Sequence, residues 1–185
     1  MKSKTRKHPV AVVCEKFQPF HSEHLAYVRA AFSASERVIV GITNADASMI
    51  RHEEADPKRS LPESNPFSYY ERYRMIEESL ADCRIPRKRF DIVPFPVNRL
   101  ELLVSYLPKN AVILVTLYGD DPWLVERRAK LEAAGWSTDV LWNRPTKGMT
   151  ASGVRALIRE GGKWEHLVPA AVSRIVKRIA RERPI

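Results

Sequence analysis

The chain has 185 residues, 44% hydrophobic and 29% charged, a balance that fits one globular domain burying its own core and excludes a disordered or fibrous chain. No apolar run approaches the roughly 20 residues of a membrane span. No signal-peptide pattern is present, and two cysteines do not make a disulfide framework, so the expectation is a cytosolic protein off the membrane. Thirty-one basic against 22 acidic residues give a net charge of +9, which suits an anionic partner such as a nucleotide or a nucleic acid.

Residues 1–8 read as a basic tail carrying Lys2, Lys4, Arg6 and Lys7. The β-branched run 10–14 is the first strand and ends at Cys14; a loop with Pro19 follows, and a helix is expected over 22–32 with Leu25, Val28 and Phe32 on its apolar face. In an open parallel sheet, the loop leaving the first strand faces the ligand crevice, and the next helix offers unpaired N–H groups there. His21 and His24, three apart, share one face of that first turn and can donate hydrogen bonds to phosphate oxygens. Lys16 adds charge in the same loop. Two other readings of the pair stay open on the residues alone: a coincidence at a helix start, and a partial metal site with Cys14, which lacks a fourth ligand.

The stretch Phe17-Gln18-Pro19-Phe20-His21-Ser22-Glu23-His24 after an apolar strand resembles the signature of the HxGH nucleotidyltransferase superfamily, of cytidylyltransferase-like fold. It is most similar to the Gly-Arg-Phe-Gln-Pro-Phe-His-x-Gly-His pattern of archaeal-type nicotinamide mononucleotide (NMN) adenylyltransferases. Three residues depart from that pattern. Glu15 and Lys16 stand for the glycine and arginine, and Glu23 stands for the glycine between the histidines. Lys16 keeps the charge but not the bidentate fork.

A buried strand is expected over 37–42, followed by a long polar segment, 43–67, of a length that marks function or disorder. As a lid or recognition surface for the acceptor it offers Asn44, Arg51 and Arg59; as a surface insertion it offers nothing. It ends in Asn65-Pro66-Phe67 and leads into a helix over 68–81 with a Glu71-Arg72 pair, again as the NMN enzymes resemble it. Strands over 90–95, 111–116 and 137–142 alternate with helices over 99–107 and 122–133. The fold class is therefore α/β: a single Rossmann-like domain with a five-stranded parallel sheet, helices on both faces and a C-terminal helical extension over 164–183.

The fourth strand runs into Tyr118-Gly119-Asp120-Asp121, where glycine lets the backbone approach a ligand. The resemblance implies that Gly119 and Asp120 border the nucleotide, while a helix cap accounts equally for an aspartate here. Thr150 or Ser152 can cap the next helix, with Arg155 on its first turn. This stretch resembles the family's second signature, Ser-x-Thr-x-Ile-Arg, which implies contact with the β- and γ-phosphates. Residues 161–169 (Gly-Gly-Lys-Trp-Glu-His-Leu-Val-Pro) are similar to a further segment of the same enzymes.

The resemblance implies nucleotidyl transfer: an NTP and a phosphorylated acceptor give a nucleotide-linked product and pyrophosphate, with Mg²⁺ on the triphosphate. His21, His24, Lys16 and Arg155 carry the chemistry; Phe17, Gln18, Gly119, Asp120, Thr150 and Ser152 hold the nucleotide. An ATP-dependent NMN adenylyltransferase-like activity comes first. Against it, 97–104 has no aromatic residue to stack on nicotinamide, which makes a CTP-dependent cytidylyltransferase acting on a small phosphate or phosphonate the alternative. Outside this class stands a basic nucleic-acid-binding module, suggested by Arg174, Lys177, Arg178, Arg181 and Arg183 in the last helix. No aromatic residues interleave those cations as a stacking platform requires. Assembly into homo-oligomers is implied by the family alone.

Overall fold

Apolar residues alternate along each strand so that one sheet feeds two cores. The computed structural model describes residues 8–46, 50, 61–119, 122–146 and 148–185. Its strands are β1 (His8–Glu15), β2 (Ser35–Ile42), β3 (Phe90–Pro94), β4 (Val112–Tyr118) and β5 (Ser137–Arg144), all parallel, in the order β3-β2-β1-β4-β5. Ala11, Val13, Val38, Val40, Ile42 and Leu114 face the larger core; Val12, Cys14, Ile39 and Ile113 face the smaller. Both faces are covered, as the near-continuous apolar strands require.

The larger core is closed by α1 (Ser22–Ala34), α2 (Tyr69–Asp82), α4 (Ala151–Arg159) and α5 (Ala170–Glu182). On α5 the buried set Val172, Ile175, Val176 and Ile179 recurs at helical spacing. The smaller core is closed by α3 (Pro122–Ala133) through Leu131 and by the segment Leu100–Ser105. That segment is a 3₁₀ helix, not the α-helix expected over 99–107. With three residues per turn, Leu100, Leu103 and Tyr106 stack on one side and all meet this core, which a 3.6-residue period would have splayed apart. His8, assigned to the basic tail from sequence, begins β1 and bonds Asp139 at 2.9 Å.

Cations of the last helix turn inward to acids. Arg174 pairs with Glu78 and Asp82, Lys177 with Glu165, and Arg183 places one nitrogen 2.9 and 2.7 Å from the two oxygens of Glu71. The Arg174 and Arg183 pairs bridge α5 and its end to α2, the Lys177 pair ties α5 to the turn before it, and together they account for much of the basic face read as a nucleic-acid tract. Among the described residues, no helix is long and apolar enough to cross a membrane.

Arg72 is 1% exposed, an expensive place for a charge. Its guanidinium donates to the carbonyls of Lys16 (2.9 Å), Thr43 (2.7 Å), Asn44 (2.7 Å) and Ser68 (3.2 Å), tying the exits of β1 and β2 to the start of α2. Replacing it with Met strands these carbonyls. Arg72→Met is expected to lower unfolding free energy by about 3 kcal/mol or more in urea denaturation; a loss below about 1 kcal/mol would show that water replaces the clamp.

Candidate active site

The strand order reverses between β1 and β4, and a crevice opens there beyond the carboxyl ends of the strands. A cavity of about 590 Å³ occupies it. Lys16 and Phe17 line it from the loop after β1; His21, Glu23, His24 and Tyr27 from α1; Thr150, Ser152, Arg155 and Arg159 from α4 and its cap. The two helices thus converge on one space with their N-termini, each presenting unpaired backbone N–H groups and a partial positive charge.

The histidines build the first of these ends. His21 is the N-cap of α1: its Nδ1 accepts from the His24 N–H at 3.4 Å, and the Nδ1 of His24 accepts from the His21 N–H at 3.3 Å. This is a capping box made of two imidazoles, with ring centroids 3.6 Å apart and nearly parallel. Because both Nδ1 atoms are acceptors, the proton of each neutral ring sits on Nε2. Burial, then the neighbouring His24, pushes His21 down to about 2, with Glu15 opposing; burial pushes His24 down to about 3, against the Pro19 carbonyl. The pair is neutral at pH 7.

Arg155 supplies fixed charge. It is 7% exposed, donates from Nη1 to the Gln18 carbonyl at 2.6 Å, and its buried Nε has no partner. Burial first, and Arg159 second, hold its pKa below the usual guanidinium range. An anion in the cavity relieves both penalties. Thr150 caps α4 by accepting from Gly153 N–H at 3.2 Å, and its hydroxyl lies 3.1 Å from that of Ser152.

Three residues expected at the nucleotide or acceptor lie apart from the cavity lining. Gln18 is spent on structure, its amide exchanging two 2.9 Å hydrogen bonds with the Phe67 backbone. Gly119 adopts φ +56 and donates its N–H to the Arg144 carbonyl at 2.8 Å, joining the ends of β4 and β5. Asn44 donates to the Asn65 side chain at 3.3 Å. Asp120, Arg51 and Arg59 lie outside the described residues. Phe17, by contrast, lines the cavity with φ 54, a left-handed conformation that a bulky residue rarely adopts.

Arg159 and Tyr27 also line the cavity, and helical spacing signals both, at i+4 from Arg155 and i+3 from His24. Leu61, Glu63, Ser64, Thr116, Tyr118 and Met149 join them without a local signal. Beneath the floor, Arg127 of α3 reaches to 3.6 Å from Glu15 and donates to the Cys14 sulfur at 3.0 Å and the Cys14 carbonyl at 3.2 Å. Burial pushes the Cys14 thiol up to about 11, so it stays protonated. Among the described residues, no three of His, Cys, Asp or Glu, with Cys14, His21 and His24 included, stand together as a group that could hold a metal.

Residues 12–156 match the cytidylyltransferase-like family model. The chain belongs to the cytidylyltransferase-like family. It is a nucleotidyltransferase. It is 43% identical over 166 residues, 90% of this chain and 89% of the other, to a phosphonoformate cytidylyltransferase of Streptomyces viridochromogenes. It is 28% identical over 165 residues, 89% of this chain and 88% of the other, to a nicotinamide-nucleotide adenylyltransferase of Methanoculleus marisnigri. The fold matches a bifunctional NMN adenylyltransferase/ADP ribose pyrophosphatase of Francisella tularensis with a TM-score of 0.66 at 19% identity, covering 94% of this chain and half of that one. A second structure of that bifunctional protein, with a TM-score of 0.65 and 19% identity over 94% of this chain and 49% of that one, holds AMP and a manganese ion.

A buried neutral histidine binds fewer protons than its unfolded counterpart, so stability is full above the unfolded pKa of about 6.5 and falls as pH drops below it. Each histidine contributes a slope of up to about 1.4 kcal/mol per pH unit. His21→Asn keeps a side-chain oxygen at the cap. Urea denaturation at several pH values between 7.5 and 5 should show a flatter loss of stability in this variant than in wild type; equal slopes would mean that His21 titrates normally in the fold.

Proposed function

We propose that this nucleotidyltransferase moves CMP from CTP to a small phosphonate or phosphate and releases pyrophosphate. The observation that carries this reading is the 43% identity to a phosphonoformate cytidylyltransferase across 90% of the chain. The NMN adenylyltransferase-like activity that the motifs put first is less well supported, since the relative bearing that name stands at 28% identity. The cavity favours the same choice. Among the described residues no tryptophan lines it, whereas stacking on nicotinamide is what the resemblance to the NMN enzymes implies.

In the proposed reaction an acceptor oxygen attacks the α-phosphorus in line. The new Pα–O bond forms as the bond from Pα to the bridging oxygen breaks, and the electron pair leaves with pyrophosphate. Catalysis is then positioning and charge stabilisation. His21 and His24 act as neutral Nε2–H donors to the α-phosphate oxygens, where negative charge grows. Arg155, fixed by Gln18 and short of one acceptor, and Lys16 meet the charge of the phosphate chain. The N–H groups of α4, with Thr150 and Ser152, receive the β- and γ-phosphates that depart.

Mg²⁺ is the proposed cation. Glu15, Glu23 and Glu63 line the cavity without forming a three-residue metal group. Such a donor set fits an ion held mainly by triphosphate oxygens and water, since magnesium seldom uses an all-protein cage. When bound, it neutralises phosphate charge.

Pyrophosphate release with Mg²⁺ should be fast with CTP and phosphonoformate and slow with ATP and NMN; the reverse order would return the chain to the adenylyltransferase reading. His24→Ala should lower kcat in that assay by about 10²-fold or more. A folded variant turning over like wild type would remove His24 from the mechanism.

A further inference from the structure

Glu23 stands in the cavity wall between the histidine pair and the segment leading into α4. A Cβ on Gly148 would lie 3.1 Å from its Oε1, so the space that glycine leaves open at 148 is taken by this carboxylate. Its Oε2 is 3.4 Å from Arg144, whose guanidinium lies over the Trp142 ring at 4.1 Å from the centroid. Trp142 donates in turn to the Tyr118 hydroxyl at 3.3 Å, and Tyr118 lines the cavity again. Glu23 and Tyr118 thus line the cavity, joined behind its wall through Arg144 and Trp142.

A bare carboxylate next to a triphosphate repels it. One half-exposed arginine is a weak remedy, and a carboxylate has about four acceptor positions, most of which Arg144 leaves unfilled. We propose that Glu23 selects the base of the donor nucleotide by accepting a hydrogen bond from the exocyclic amine of cytosine, with Arg144 as the positioning residue that holds the carboxylate. This rests on the cytidylyltransferase reading and names its base-reading group. An acceptor-only carboxylate pairs with the 4-amino group and opposes the 4-oxo group of uracil. Filling the space beside Gly148, the carboxylate also takes room that the larger two-ring adenine would compete for.

The test is kcat/KM for CTP, UTP and ATP with phosphonoformate as acceptor, in wild type, Glu23→Gln, Glu23→Gly and Arg144→Leu, each checked for folding by urea denaturation. Glutamine can turn its amide to donate to the 4-oxo group, so Glu23→Gln should lower the CTP-to-UTP ratio by about tenfold or more. Glu23→Gly should lower the CTP-to-ATP ratio in the same sense, and Arg144→Leu should weaken CTP-to-UTP discrimination less than Glu23→Gln does. Where a variant loses turnover, equilibrium binding of the three nucleotides supplies the same ratios. Wild type active with CTP but ratios unchanged within about twofold in both Glu23 variants would overturn the role of Glu23 and leave the cytidylyltransferase reading standing. Wild type inactive with CTP and active with ATP would overturn both.

Discussion

The candidate site depends on one buried cation. Arg72 holds the carbonyls of Lys16, Thr43, Asn44 and Ser68, so the loops that leave two adjacent parallel strands are fastened to the first turn of a helix. Burial pulls its pKa down to about 10, which still leaves it charged at neutral pH. Planar geometry explains the choice of residue, since five donors in a rigid fork can serve several carbonyls at once where an ammonium cannot. The loop after β1 that it fixes carries Lys16 and Phe17 to the cavity. From the same loop Gln18 bonds both ways to Phe67 and receives Arg155 on its carbonyl.

On that frame two helix ends meet, and each is capped by a side chain that also faces the cavity. Mutual capping explains why His21 and His24 are three apart: that spacing puts each Nδ1 against the other's backbone N–H. Capping and protonation state are therefore one feature. The ring that spends Nδ1 on the backbone carries its proton on Nε2, and burial keeps the ring neutral. Permanent charge comes instead from arginine, which burial cannot neutralise near pH 7.

Two of the departures from the family signature have visible compensations. Glu15, where the resemblance has glycine, faces Arg127 across the floor of the cavity, and Arg127 also bonds Cys14. Glu23 faces Arg144 and the open side of Gly148. In each case a carboxylate beside a phosphate-type site comes with its own arginine from the β4 to β5 half of the sheet, the buried Arg127 offsetting Glu15 more fully than the half-exposed Arg144 offsets Glu23. Leu61, Glu63 and Ser64 add a further stretch of lining from the segment before α2.

Much of this was legible in the chain itself. Apolar runs separated by helical periods determine a parallel α/β sheet, because only strands buried on both faces read that way. The residues that the two signatures single out, His21, His24, Lys16, Phe17, Thr150, Ser152 and Arg155, line one cavity, and within each signature capping and helix spacing act between neighbours in sequence. Tertiary structure decided the rest. Gln18 sits in the signature yet is consumed by Phe67, 49 positions away. The 3₁₀ form of Leu100–Ser105 follows from the core it must cover, and the partners of Glu15, Glu23 and Arg72 arrive from distant strands and loops. Such contacts are absent from any local pattern because they exist only once chain segments far apart in sequence pack side by side.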